Sequence, residues 1–182
     1  MAARVQAALC LLVAAAAAIA ATDDVSAVLE RRVKAALLYR FLNYVEWQDP
    51  LQPAANAPFT IAVVGADPLA TELSEFAAGR TLQGHPLNVR TSRAVETMRE
   101  AHVVFVGRDE ASRLAAIVRA APPNALIVTE SDDGLAQGSV INFRLVDGQV
   151  RFDVSLDAAR RRGLRLSARL LSVAHTVQGM PP

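Results

Sequence analysis

Reactive side chains are scarce in this 182-residue chain. It has one cysteine, Cys10, so no intramolecular disulfide can form. It has three histidines, His85, His102 and His175. None stands at short metal-motif spacing from another histidine or from a carboxylate, so a zinc site would have to be assembled by the fold from distant segments. No G-x-S-x-G segment occurs, which leaves a hydrolase of the nucleophile-elbow type without support. Aromatic residues make up only 5% of the chain, with one tryptophan and two tyrosines. Lysine is represented by Lys34 alone; every other base is arginine. An excess of either charge is also missing, with 19 basic residues against 18 acidic ones. That balance excludes the basic stripe that nucleic acid needs, and with it strong attraction to an acidic membrane surface. The residues therefore point to no catalytic group, no cofactor and no metal.

What the chain does have in plenty is small apolar sequence at its start. Residues 1–21 carry one positive charge, Arg4, then an alanine-dominated run, then a small-residue cleavage site around Ala18-Ile19-Ala20. This reads as a secretory signal peptide and so implies a periplasmic protein. The competing reading is a membrane anchor, but the run is short for the ~20 strongly apolar residues of a span. Cys10 lies inside it, preceded by Leu9, and does not read as a lipid acceptor. Losing Arg4 with the leader leaves 18 bases against 18 acids and no cysteine at all. The remaining residues, read as a single domain over 22–178, suffice for one core.

The longest helical pattern is Val33–Trp47, which holds both tyrosines and the tryptophan. Between Asp24 and Trp47, apolar residues recur at spacings of three and four: Val25, Val28, Leu29, Val33, Ala36, Leu37, Phe41, Tyr44 and Val45. That spacing predicts one buried helix face, widened by Leu38 and Leu42, with Lys34 among the polar remainder. Asp23 and Asp24 suit its start, and Pro50 and Pro53 end it. Aromatics at helical spacing are usually core, but they are also enriched at binding hot spots. Tyr39 lies off the stripe and is the one expected at the surface. Tyr39 and Trp47 are thus candidate partner contacts.

Beyond a proline-rich connection at Leu51–Pro58, short apolar runs alternate with helical ones. Strands are expected at Phe59–Val64, Leu87–Thr91, Val103–Val106 and Ala125–Thr129. Helices are expected from Pro68 to about Gly79, over Ala94–Arg99 and over Asp109–Ala120, with Asp67 capping the first. Continuous apolar strands between helices argue for a parallel sheet buried on both faces. The pattern then changes. Ser139–Val146 and Gln149–Ser155 flank Asp147-Gly148, a two-residue hairpin signal. In that register Leu145 faces Val150, Phe143 faces Phe152 and Ile141 faces Val154, all toward the core. The other face carries Asn142, Arg144, Arg151 and Asp153. Arg144 sits opposite Arg151, with Asp153 diagonal to relieve it. This face is either simply solvated or a site for an anion or a partner's carboxylate. Two short helices, Val154–Arg162 and Leu166–His175, end the chain. The expected fold is a single-domain α/β three-layer sandwich. Its sheet is mostly parallel with a C-terminal antiparallel hairpin, and the N-terminal helix packs on it.

Two further places bear on ligands. Gly65 ends a strand and leads into a helix, where doubly wound folds bind phosphate. One glycine is a weak signal, and Asp67 at the helix mouth would repel an anion. Glu130, Asp132 and Asp133 follow the fourth strand, where they are able to hold a cation or simply meet solvent.

The segments VKAALLYRFLNYVEW at 33–47, FTIAVVGADPLATEL at 59–73, GRTLQGHPLNVR at 79–90, AHVVFVGRDEASRL at 101–114, GSVINF at 138–143 and VRFDVSLDAARRRGLRLSARLLSVA at 150–174 resemble, in order and spacing, the YfiR family of periplasmic proteins. Two departures stand out. Gln48-Asp49 precede Pro50 where many relatives have proline directly after the tryptophan, and Ala101 stands where many have cysteine. Disulfide-based redox control is therefore not expected. The resemblance implies a non-catalytic regulator, with no cofactor, that binds the periplasmic region of an inner-membrane diguanylate cyclase or sensor kinase. Repression of the cyclase would lower cyclic-di-GMP and biofilm formation. The resemblance also implies a homodimer. The residues alone leave open a periplasmic small-ligand-binding module at the carboxyl edge of the sheet.

Overall fold

The computed structural model describes residues 25–47, 57–92 and 98–180. The leader, nearly all of the 51–58 connection and most of the expected Ala94–Arg99 helix lie outside the described residues.

Helix α1 covers 25–42 and strand β1 Val45–Trp47. Then come β2 (Phe59–Val64), α2 (Asp67–Ala77), β3 (Thr81–Leu82), β4 (His85–Thr91) and β5 (Val103–Val106). A 3-10 turn at Arg108–Arg113 leads into α3 (Leu114–Ala120), followed by β6 (Leu126–Thr129), β7 (Ile141–Val146) and β8 (Gln149–Ser155). The chain closes with α4 (Leu156–Arg161), β9 (Leu164–Leu166), α5 (Ala168–Ser172) and β10 (Thr176–Gln178). Eight strands form one sheet in the order β10-β8-β7-β6-β5-β2-β4-β3. Strands β4, β2, β5, β6 and β7 are parallel to their neighbours in that run, and β8 returns antiparallel to β7.

Strands β2, β5 and β6 are buried at every position. Helices on both faces explain why their sequences are unbroken apolar runs. On one face lie α1 and α2. There Leu38, Phe41, Leu69 and Leu73 join Ile61, Val63, Phe105, Val128 and Phe143 in the larger core, with Ala158, Ala159 and Leu170 of α4 and α5. The other face is covered by α3, where Leu114 and Ile117 pack with Ala62, Val64, Val104, Val106 and Ile127. This is the three-layer α/β architecture that the alternating pattern predicts.

The N-terminal helix departs from expectation in two ways. It stops at 42, and Val45, Glu46 and Trp47 form a strand pairing antiparallel with Leu166, Arg165 and Leu164. Val45 and Trp47 are buried while Glu46 is exposed. A period of two thus replaces the helical one as soon as β9 is available as partner. The buried face is also rotated. Ala35, Leu38, Phe41 and Leu42 go inward, whereas Val25 (70%), Leu29 (62%) and Val33 (37%) stay exposed. A helical period marks a stripe but does not say which of two overlapping stripes the sheet will cover.

Smaller corrections follow the same logic. Asp67 does not cap α2: the cap position is Ala66, with no side-chain bond, and Asp67 and Pro68 open the first turn. The C-terminal helices are shorter than their patterns. Ser155 and Ser167 cap α4 and α5 by accepting from Ala158 and Leu170 N–H. The residues before each cap remain in strands β8 and β9.

Candidate functional site

Strand order reverses between β2 and β5. From β2 the chain passes through α2 to β4 on one side; from β5 it passes through α3 to β6 on the other. The carboxyl ends of such a strand pair are where doubly wound sheets open a crevice. Here the two loops meet closely. Gly107 N–H donates to Val64 carbonyl at 2.8 Å, and any Cβ on Gly107 would overlap the Gly65 carbonyl. Gly65 itself has φ +65°, beneath the side chain of Glu110.

Above this point lies Lys34 of α1. The only lysine of the chain is 4% exposed, on the same helix face as Ala35 and Leu38. Its ammonium bonds Glu30 one turn back and reaches Glu130, at the end of β6, at 2.5 Å. Glu130 also accepts from the Arg108 backbone N–H at 3.2 Å. The Arg108 guanidinium lies 3.5 Å from Glu30 and 4.0 Å from Glu130. Two cations and two carboxylates thus neutralise one another and tie α1 to the carboxyl edge. A buried ammonium persists only when paired and hydrogen-bonded in this way. By pattern Lys34 belongs to the polar remainder of the helix, and Glu130 to an acidic stretch able to hold a cation or simply meet solvent. The available signals were Lys34 being the sole lysine and the Glu30–Lys34 spacing of four. Asp132 and Asp133 are exposed, as expected.

Two clefts flank this latch. One, of about 400 Å³, runs between Arg108, Ser131, Asp132 and the segment Phe143, Arg144 and Leu145. The other, of about 260 Å³, lies between Arg31, Gly65, Pro68 and Asp109.

The hairpin has the predicted register, with Ile141 opposite Val154, Phe143 opposite Phe152, Arg144 opposite Arg151 and Leu145 opposite Val150. Arg144 reaches the diagonal Asp153 at 3.3 Å. The two faces do not divide as simply as the alternation implies. Leu145 is half exposed, because β6 pairs with β7 only as far as Thr129 and Asn142, and the hairpin runs on beyond the sheet. Of the four residues named on the opposite face, Arg144 and Arg151 are exposed, while Asn142 (2%) and Asp153 (5%) are buried. There the Thr129 hydroxyl lies 2.6 Å from Asn142 Oδ1 and 3.0 Å from Ser139 Oγ. With one proton to give, it donates to Asn142 and accepts from Ser139.

The other singled-out residues are scattered. Trp47 is buried edge-on against Phe59, so its ring serves the core and offers no surface to a partner. Tyr39 is half-buried, edge-on to Phe76, with the Arg80 guanidinium 4.2 Å from the Phe76 ring. Tyr39 thus packs toward α2, whereas Arg144 and Arg151 lie on the hairpin. At the amino end of the sheet His102 Nδ1 accepts from Thr60 N–H at 3.1 Å. Burial, and then the nearby His85, push its imidazole down from the usual histidine range. Within the C-terminal arginine cluster, Arg162 clamps the end of α3 through the carbonyls of Val118 and Pro122, both at 2.9 Å. Among the described residues no group of three or more His, Cys, Asp or Glu is placed to hold a metal ion. No described helix is long and apolar enough to cross a membrane.

The family model of YfiR/HmsC-like proteins matches residues 31–175, a span that takes in Lys34, Glu130, strands β1 to β9 and the hairpin. The chain belongs to the YfiR/HmsC-like family. A solved structure, a conserved domain protein from Vibrio cholerae O1 biovar El Tor, is similar at 13% identity with a TM-score of 0.56. The alignment covers 81% of this chain and 60% of that one, so this chain spans less than two thirds of that protein. At this identity the likeness is one of fold. No curated protein matches the chain.

Proposed function

We propose that this member of the YfiR/HmsC-like family is a non-catalytic periplasmic regulator. It binds the periplasmic sensor region of an inner-membrane signalling protein and most specifically represses a diguanylate cyclase. The family match over 31–175 carries the reading. It is supported by the crevice at the strand-order reversal, where a doubly wound enzyme would place a ligand and this chain places its own Lys34–Glu130 pair. Such a repressor needs only to bind one cyclase conformation better than the other. A differential of about 5.5 kcal/mol moves a two-state balance from 1:99 to 99:1. Tyr39, Arg144 and Arg151 are the surface residues proposed to meet the partner. The exposed stripe of Val25, Leu29 and Val33 is available for homodimer formation.

The test has two parts. Deleting the gene raises cellular cyclic-di-GMP if a cyclase is held in check, and unchanged levels under several envelope stresses refute cyclase control. Tagged mature protein exported to the periplasm is then used to retain partners from detergent-solubilised inner membrane. Recovery of a diguanylate cyclase or sensor kinase with a periplasmic domain names the target.

A further inference from the structure

We propose that the cleft of about 400 Å³ at the carboxyl edge binds a small monocarboxylate with an apolar body. The cleft exists because β7 outruns β6. Pairing stops at Thr129 and Asn142, and Phe143–Val146 continue past the sheet beside the loop that carries Glu130, Ser131 and Asp132. Its size lies in the range of small-molecule sites.

Four observations set the chemistry. First, two arginines from different segments line it, Arg108 after β5 and Arg144 on β7, with side chains 59% and 57% exposed. Arg144 bonds Asp153 at 3.3 Å, and Arg108 reaches its carboxylates only at 3.5 and 4.0 Å. A guanidinium has five donors, so Arg108 keeps several to offer, and its planar fork matches a carboxylate; Arg144 stands on the strand face opposite Phe143 and Leu145 and is held by Asp153. Second, Ser131 is 9% exposed, lines the cleft, and its buried hydroxyl has no hydrogen-bond partner among the described residues. Buried polar groups are nearly always satisfied, so an orphan at a cleft marks a place for a ligand or bound water. Third, Ala111, Phe143 and the half-exposed Leu145 supply apolar wall for the body of the molecule. Fourth, the lining holds Lys34, Arg108 and Arg144 against Glu130 and Asp132. Lys34 is already engaged by Glu30 and Glu130. With Glu30 and Asp153 counted as partners of Lys34 and Arg144, no positive charge is left over, so the carboxylates disfavour a multiply charged anion such as phosphate and leave room for one carboxylate at Arg108 at most.

This inference does not depend on which membrane protein is regulated, since the isolated chain either binds the ligand or does not. The experiment is calorimetric titration and thermal unfolding of the mature protein with 3-phenylpropionate and, separately, its neutral amide, in chloride buffer. A site of this kind gives saturable binding of the acid, a rise in melting temperature that grows with concentration, and little response to the amide. Arg108→Gln weakens binding by roughly tenfold, the loss expected for a charge-assisted pair. Ser131→Ala weakens it several-fold while leaving the unliganded melting temperature unchanged or higher, because it removes an unsatisfied buried hydroxyl. Arg144→Gln also strips Asp153 of its partner, so Arg108→Gln is the decisive variant. Equal responses to acid and amide overturn the proposal. So does wild-type affinity in Arg108→Gln, or no saturable binding up to about 10 mM.

Discussion

The two halves of the sheet follow different rules. In β2, β5 and β6 every side chain is buried and nearly every one is apolar. In β7 and β8 one face is apolar and the other holds Asn142, Arg144, Arg151 and Asp153. The first half spends all its side chains on packing against two helical layers. The second half has polar groups left over, and the larger cleft and the orphan serine hydroxyl lie where it begins. Interaction chemistry is therefore expected at the β6–β7 junction, and pure stability in the centre of the sheet.

Substitutions sharpen or break this contrast. The largest effect belongs to the centre. Phe105, fully buried in β5, should cost about 4 kcal/mol when cut to alanine, read by urea unfolding. A loss under about 1 kcal/mol would show that the central core is not the stability reservoir described. Next comes the latch. Lys34→Met strands Glu30 and Glu130 beside each other and should cost about 3 kcal/mol. Adding Glu130→Gln should return part of it, and a double variant no better than the single one would deny the coupling. Arg162→Ala leaves the carbonyls of Val118 and Pro122 without their donor, for about 2 kcal/mol. An unaltered midpoint would mean that water replaces the guanidinium freely.

A smaller effect is set by pH. The folded chain holds the His102 pKa below its unfolded value near 6.5, so the unfolded state binds more protons through that interval. The contribution is present above pH 6.5 and is lost as pH falls through the folded value. His102→Gln should flatten the fall in melting temperature on acidification; an identical slope would assign it to other groups. The smallest effect lies on the hairpin tip. Arg151→Ala should change stability by less than about 0.5 kcal/mol, because the side chain is exposed and faces a like charge. If it also leaves partner capture unchanged, the Arg144/Arg151 face is not the contact surface.

Much of this fold was legible before any coordinates. The three central strands are marked by length and apolar continuity, and Asp147-Gly148 set the hairpin register residue by residue. The candidate site was legible only in fragments. Arg144 with Asp153 follows from strand alternation, a local rule. The Glu30–Lys34–Glu130 cluster does not, since Lys34 and Glu130 lie 96 residues apart and meet only because α1 lies across the end of β6. The misread end of the first helix has the same origin. Val45 and Trp47 fit both a helical and a strand period, and a partner more than a hundred residues later decided between them.

The sequence by itself determined the class of fold, the central strands, the hairpin and the family, because each rests on patterns within a few residues or on their order along the chain. Only the tertiary structure decided which helix stripe is covered, that Trp47 is core, that Lys34 is a buried latch and that a cleft opens beside Ser131. Burial and ion pairing belong to surfaces brought together from distant segments, and no local period carries that information.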